Sequence, residues 1–147
     1  MQDPDFNYTR YHTVVFVQTD ADGGGYIHHV TGDLVTGMQY QRKAGRRPEQ
    51  SLTFHAKEYI GTVAAENYPA AIDTLLRSLQ PPPQQKRFNP TTMAYERCKP
   101  DGSAYDAGES PPPLMKCTEW TQNSAIPTLI QQGLIQTNMF EATQPSA

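Results

Sequence analysis

The chain has 147 residues, of which 37% are hydrophobic, and this is enough for one modest core but not for two. We therefore expect a single domain over residues 1–147. The formal net charge of -3 gives no general reason to expect nucleic acid or an acidic membrane as a partner.

The N-terminal residues 1–5 are polar and acidic, and no apolar run in the chain approaches about 20 residues. We expect neither a secretion signal nor a membrane span. The two cysteines, Cys98 and Cys117, could form one disulfide, but without a signal peptide we expect a reducing, cytoplasmic compartment and two free thiols.

The first predicted strand covers residues 11–17, which are rich in β-branched and aromatic residues, and His12 lies at its start. The segment 20–25 has the glycine content of a hairpin turn. A glycine-rich loop also suggests phosphate binding, but no lysine followed by serine or threonine occurs in P-loop spacing, and no helix is predicted after it. We therefore interpret this segment as a hairpin connection.

Residues 26–30 and 34–40 predict two further strands that pair as a meander. His28 and His29 are adjacent in the first of these, so they point to opposite faces and only one can face His12.

The basic run 42–47 predicts a solvated loop tip, with contact to a phosphate or carboxylate as the alternative. Two short β-like runs at 51–55 and 59–63 follow, so we expect an antiparallel sheet of five or more strands.

A helix is predicted from Asn67, a good cap, with Pro69 in its first turn. Its apolar positions follow helical spacing and should pack on the sheet: Ile72, Leu75, Leu76 and Leu79. Prolines end this helix, and we expect a long Pro-rich loop region over 81–113 with one possible strand at 93–98. The fold class is α+β, with terminal tails at 1–9 and 137–147 that we expect to be frayed.

Cys117 opens an apolar run that ends at Gly133, with Pro127 expected to interrupt the helix after about two turns. A cysteine at a helix start is exposed to free backbone N–H groups and to the positive end of the helix dipole, which favour thiolate over thiol. The charge of Lys116 acts in the same direction. Cys117 is therefore a candidate nucleophile, provided that a histidine lies beside it.

Structural roles are the alternative for each of these residues. An intracellular cysteine is most often a small buried hydrophobe, and Cys98 fits that role. Trp120 is either a core anchor or a substrate platform. Zinc is the other chemistry that four histidines and two cysteines could support, but the spacing lacks Cys-x-x-Cys and His-x-x-x-His, so we predict no metal and no cofactor.

Three short motifs occur in an order that resembles a known superfamily: Tyr11-His12 followed by aliphatic residues, Tyr26-Ile27-His28-His29-Val30, and Lys116-Cys117-Thr118-Glu119-Trp120. This order looks like the circularly permuted papain-like thiol enzymes, which include lecithin retinol acyltransferase-like, NlpC-type and deSUMOylating isopeptidase-like proteins. The motifs cover about a third of the chain, and residues 42–113 match nothing in the superfamily.

The resemblance implies that Cys117 is the nucleophile, His12 the general base and His29 the polar residue that orients His12. Tyr11 and Trp120 become candidate substrate-binding residues. The expected function is a thiol-dependent hydrolase or acyltransferase that acts on an amide, ester or thioester through a covalent acyl-enzyme. The alternative is a papain-like binding module without turnover, and the sequence identifies neither the acyl, peptide or isopeptide partner nor the oligomeric state.

Overall fold

The computed structural model describes residues 10–137. A three-stranded antiparallel sheet in the order β1-β2-β3 is formed by Val15–Gln18, Gly25–Asp33 and Gly37–Gly45. The glycine-rich segment 20–24 is the turn between β1 and β2, as predicted, and the backbone N–H of Gly23 donates to the carbonyl of Asp20 at 3.1 Å. Gly23 has a φ of 94°, a conformation that favours glycine there.

The first strand begins later than its sequence pattern indicates. β1 starts at Val15, so His12 and Thr13 lie in the segment that leads into the sheet rather than in the strand. Val15 pairs with His28 of β2, and the pairing ends at Gln18 with Gly25.

The prediction of five or more strands in one sheet is wrong. In the described part of the chain, the three-stranded sheet is accompanied by a separate two-stranded sheet, and residues 51–55 and 59–63 do not form strands. Residues 51–55 are exposed, so they lack the buried face that stabilises a strand. Thr62 forms only an isolated antiparallel bridge with Gln136.

The basic run is also not a loop tip. Residues 42–45 form the end of β3 and pair with β2, from Arg42 opposite His28 to Gly45 opposite Gly25. Arg42 is paired with Asp73 at 3.0 Å, and a guanidinium N–H of Arg47 donates to the carbonyl of Asp22 at 3.0 Å. The backbone of the basic run pairs with residues 25–28 of β2, which places this part of the run in the strand.

Helix α1 spans Ala70–Ser78 and packs its apolar side chains on the sheet. Asn67 does not cap it: Asn67 ends a short 3₁₀ turn, Ala65–Asn67, and Pro69 occupies the N-cap position after a cis peptide bond. The buried core cluster joins this helix, the sheet and the C-terminal helical segment through seven residues: Val30, Ile72, Leu76, Trp120, Ala125, Leu129 and Ile135.

The two-stranded sheet is a hairpin of β4, Lys86–Asn89, and β5, Ala94–Arg97. The possible strand at 93–98 corresponds to β5, whereas β4 lies within the region expected to be loop. β4 has one apolar residue among its four, Phe88, and three of the four are half-buried, so its sequence gives neither an apolar run nor an alternating strand pattern.

A helical segment runs from Cys117 to Gln131 as α2 (Cys117–Trp120), a π turn (Thr121–Ala125) and α3 (Ile126–Gln131). The chain stays helical through Pro127, where we expected an interruption. A proline in a regular α-helix clashes with the carbonyl four residues before it, and the wider π turn immediately upstream relieves that contact.

Candidate functional site

Two histidines, one from the segment before β1 and one from β2, contact each other. His12 lies before β1 and is exposed, whereas His29 of β2 is buried. Their Nε2 and Nδ1 atoms are 2.8 Å apart, and the ring planes meet at 62°. The pair thus has one ring open to the surface and one held within the protein.

The His29 ring is held from its other side by β3. Gln41 stands directly opposite His29 in the β2-β3 register, and its Oε1 lies 3.3 Å from His29 Nε2. Burial lowers the pKa of His29, and the neighbouring His12 lowers it further. His29 is therefore neutral at pH 7, with both ring nitrogens engaged.

Cys117 is half-buried and is the first residue of α2. Burial raises the pKa of its thiol, but hydrogen bonds from the His12 side chain, the Thr13 backbone N–H and the Thr118 hydroxyl act in the opposite direction, and the net result is a lowered pKa. The structure thus brings Cys117, His12 and His29 together in one series, in the order that the sequence motifs imply.

Two threonines connect the strand segment to the helix beside the thiol. The hydroxyls of Thr13 and Thr118 are 2.7 Å apart, and the Thr121 hydroxyl donates to the Thr13 carbonyl at 3.3 Å. Because Thr118 has a single hydroxyl proton, donating it to Cys117 requires that it accept the proton of Thr13. The thiolate therefore has a second hydrogen-bonded chain, independent of the histidines.

An ion pair fixes the same two segments to each other. Arg10 Nη2 lies 3.0 and 2.8 Å from the two carboxylate oxygens of Glu119, and the Arg10 side chain is only 8% exposed. Glu119 Oε1 also accepts the backbone N–H of Lys116 at 2.8 Å, which caps the start of α2.

His28 points to the opposite face of β2 and is fully buried. Its Nδ1 lies 2.6 Å from the Tyr40 hydroxyl and its Nε2 lies 2.7 Å from the Tyr68 hydroxyl, while Tyr40 donates to Asp73 at 2.7 Å. Burial lowers the pKa of His28 to about 4. This histidine belongs to a polar network in the core and takes no part in the Cys117 series.

The two candidate substrate-binding residues have different positions. Tyr11 is exposed beside His12 and stacks on His55, with ring centroids 3.8 Å apart. Trp120 is 1% exposed and belongs to the core cluster, 6.0 Å from the Tyr40 ring. Its position fits the core anchor, and only Tyr11 is accessible to a substrate.

The other reactive groups considered from the sequence, the second cysteine and possible metal ligands, do not belong to this site. Cys98 is buried and, like Cys117, is a free thiol, and burial raises its pKa. Within residues 10–137, no group of three or more His, Cys, Asp or Glu side chains could hold a metal ion. No helix in that range is both long and apolar enough to cross a membrane.

Sequence reasoning missed Gln41, Thr13, Thr118 and Arg10. The predicted third strand ended at residue 40, whereas β3 extends to Gly45. The position of Gln41 opposite His29 was therefore not recognised from the sequence. Thr118 follows the cysteine directly, but its role depends on the approach of Thr13, for which the sequence carries no signal.

A cavity of about 270 Å³ lies along β1 and is lined by residues 15–18 and 59–63 together with Ile135. It is bordered by neither His12 nor Cys117, so it does not define the surroundings of the thiol.

Comparison with curated proteins and with solved structures finds no match to this chain. A family model does match, over residues 2–136, and it is described as a family of unknown function, DUF6540. Since the match covers nearly the whole chain, the protein belongs to this family.

Proposed function

We propose that the protein is a thiol-dependent hydrolase or acyltransferase in which Cys117 attacks an amide, ester or thioester carbonyl. The observation that carries the proposal is the ordered series from Cys117 to His12 to His29, with His12 exposed and the pKa of Cys117 lowered. A nucleophile, a base within hydrogen-bond reach and a third group that orients the base are the parts that thiol catalysis needs.

In the proposed reaction, His12 takes the proton of Cys117 and the thiolate adds to the carbonyl carbon. His12 then returns the proton to the leaving group as the carbon–heteroatom bond breaks, which gives a thioester between the acyl group and Cys117. Water or a second nucleophile, deprotonated by His12, attacks the thioester and regenerates the thiol. The nature of that second nucleophile decides between hydrolysis and transfer.

The tetrahedral intermediate carries an oxyanion that must be stabilised. The first backbone N–H groups of a helix have no intrahelical partner, and Cys117 is the first residue of α2. Its own N–H is therefore suited to donate to the oxyanion.

The competing hypothesis is a binding module that keeps this arrangement without turnover. A module of this kind needs neither a lowered pKa of the thiol nor an exposed base, and both occur here. Both cysteines are free, and reducing compartments keep thiols in that state, so we propose a cytoplasmic location.

The experiment is labelling with a panel of electrophilic probes that carry ester, thioester, amide and ubiquitin-like acyl groups, followed by mass spectrometry of the modified peptide. We expect a stable adduct on Cys117 with at least one acyl class, and turnover of the matching substrate. Cys117→Ser should abolish both, while the melting temperature stays nearly unchanged.

Cys98→Ser is the matched control and should leave labelling unchanged in the fraction that folds. Absence of acyl labelling at Cys117 with every probe class, or labelling that survives His12→Ala, would favour the binding module.

A further inference from the structure

We propose that Gln41 is a positioning residue that fixes the tautomer of His29, and through it the proton-accepting nitrogen of His12. The inference rests on the proposed function for its catalytic meaning. Gln41 lies outside the three sequence motifs. Its role follows from assigning a donor and an acceptor to each hydrogen bond from Gln41 through His29 and His12 to Cys117.

A neutral imidazole has one N–H donor and one acceptor nitrogen, so two histidines in contact must have complementary tautomers. Gln41 Oε1 faces His29 Nε2 at 3.3 Å, and a carbonyl oxygen can only accept. With the amide in this orientation, His29 Nε2 carries the proton, which leaves the lone pair of His29 on Nδ1.

His29 Nδ1 then accepts from His12 Nε2 across 2.8 Å. With its proton on Nε2, neutral His12 has its lone pair on Nδ1, the nitrogen that remains for the Cys117 thiol. The direction of every hydrogen bond in the series thus follows from the carbonyl of Gln41.

The opposite tautomer of His29 would disable the base. If His29 Nδ1 carried the proton, His12 Nε2 would have to accept it, and the proton of neutral His12 would lie on Nδ1 facing the thiol. His12 could then not take the proton of Cys117. A group that selects the His29 tautomer therefore decides whether His12 is competent.

The charges around His29 do not make this selection. His12 and Lys43 both act on its pKa, but they disfavour the charged form of the ring and do not distinguish its two neutral tautomers by a hydrogen bond. Among the described contacts of the His29 ring, Gln41 provides the acceptor at Nε2.

The test uses Gln41→Met, which keeps the length of the side chain and removes the acceptor, and Gln41→Glu, which can only accept. Gln39→Met is the matched control, because Gln39 is an exposed glutamine two residues earlier on the same face of β3. All four proteins are compared by their melting temperatures first, and since both positions are exposed we expect them to fold.

Two readouts follow. Long-range ¹H–¹⁵N correlation spectra of histidine-labelled protein report the tautomer of each ring without any substrate. The alkylation rate of Cys117 at pH 6.5 reports the competence of His12.

We expect His29 to carry its proton on Nε2 in the unmodified protein, in Gln41→Glu and in Gln39→Met. In Gln41→Met, we expect a mixture of tautomers and a Cys117 alkylation rate lowered by about 3- to 10-fold, the size of one neutral hydrogen bond. A proton on His29 Nδ1 in the unmodified protein, or a Gln41→Met protein that matches Gln39→Met in both readouts, overturns the inference.

The outcome is separable from that of the proposed function. A shift of tautomer in Gln41→Met together with a Cys117 that no acyl probe labels would mean that Gln41 positions the histidines of a site without turnover. Acyl labelling of Cys117 with an unchanged tautomer in Gln41→Met would support the proposed enzyme function and would show that Gln41 does not fix the tautomer of His29.

Discussion

Arg10 and Glu119 form an ion pair in which Nη2 of Arg10 contacts both carboxylate oxygens of Glu119. This pair joins the segment before His12 to the helix that begins at Cys117. Arg10 precedes His12 by two residues and Glu119 follows Cys117 by two residues, so the pair lies beside the contact between base and thiol. The two halves of the candidate site come from opposite ends of the described chain, and this ion pair is one of the links that hold them at a fixed separation.

Arg10→Met should therefore affect both stability and reactivity. Removing one partner of a mostly buried pair leaves the carboxylate of Glu119 without its cation, and we expect the free energy of unfolding to fall by about 1–3 kcal/mol. The Cys117 alkylation rate in the folded protein should also fall, because the His12 segment is no longer fixed to α2. Chemical denaturation and alkylation kinetics measure the two effects.

Lys57→Met is the matched control for this prediction. Lys57 and Glu49 also form an ion pair at 2.8 Å, but both side chains are exposed, so its loss should change stability by less than about 1 kcal/mol. Equal effects of the two substitutions would contradict the role given to Arg10.

The two cysteines should react at different rates. The pKa of Cys117 is lowered by its donors, whereas burial raises the pKa of Cys98 and also shields it. At pH 6.5, iodoacetamide should alkylate Cys117 much faster than Cys98, and His12→Ala should slow Cys117 strongly. Peptide mass spectrometry against time and pH measures both rates, and equal rates at this pH would remove the basis for a catalytic thiol.

Thr118→Val tests the second hydrogen-bonded chain to the thiol. Valine keeps the shape of threonine but removes the hydroxyl that donates to Cys117 and contacts Thr13. Hydrogen bonds to charged groups are worth about 1.5–3 kcal/mol, so we expect the Cys117 alkylation rate at pH 6.5 to fall by about tenfold. Thr128→Val, in the same helical segment and away from the thiol, should have no such effect.

The sequence predicted those features that depend on neighbouring residues. The glycine-rich hairpin, the strand around His29 and a helix starting at Cys117 all follow from local turn chemistry and periodicity. The opposite orientations of His28 and His29 follow from the pleat of a strand alone, and the structure has them on opposite faces.

Features that depend on distant partners were not predictable in the same way. The run 51–55 has β-forming residues but no strand to pair with, and β4 has no apolar pattern but pairs with β5. Residues 42–45 belong to the basic run and still form part of β3, where their backbone pairs with β2 and Asp73 neutralises Arg42. Tertiary pairing outweighed local composition at each of these places.

His28 should make stability depend on pH. Its pKa in the folded protein is about 4, against an ordinary value of 6.5, so below pH 6.5 the unfolded chain binds a proton that the folded protein does not. The stabilisation is therefore present above pH 6.5 and is lost as the pH falls toward 4, by up to about 3 kcal/mol. Denaturation curves at several pH values should show this loss, and His28→Asn should show a smaller change over the same range.

The last prediction separates His28 from His29 by the kind of damage that each substitution causes. His29→Ala removes the ring whose Nδ1 lies 2.8 Å from His12 Nε2, while His28→Ala removes a buried ring that contacts the hydroxyls of Tyr40 and Tyr68. The first change acts on the orientation of the base, and the second acts on the core.

We therefore expect His29→Ala to lower the alkylation rate of Cys117, and turnover once a substrate is known, by about 10²- to 10⁴-fold. His28→Ala should lower the free energy of unfolding by about 2–4 kcal/mol, because it leaves a cavity and removes the histidine partner of the Tyr68 hydroxyl. The reactivity of its folded fraction should stay near that of the unmodified protein. Rates are measured well below each melting temperature. If His28→Ala impairs the thiol more than His29→Ala does, the assignment of His29 as the orienting residue is wrong.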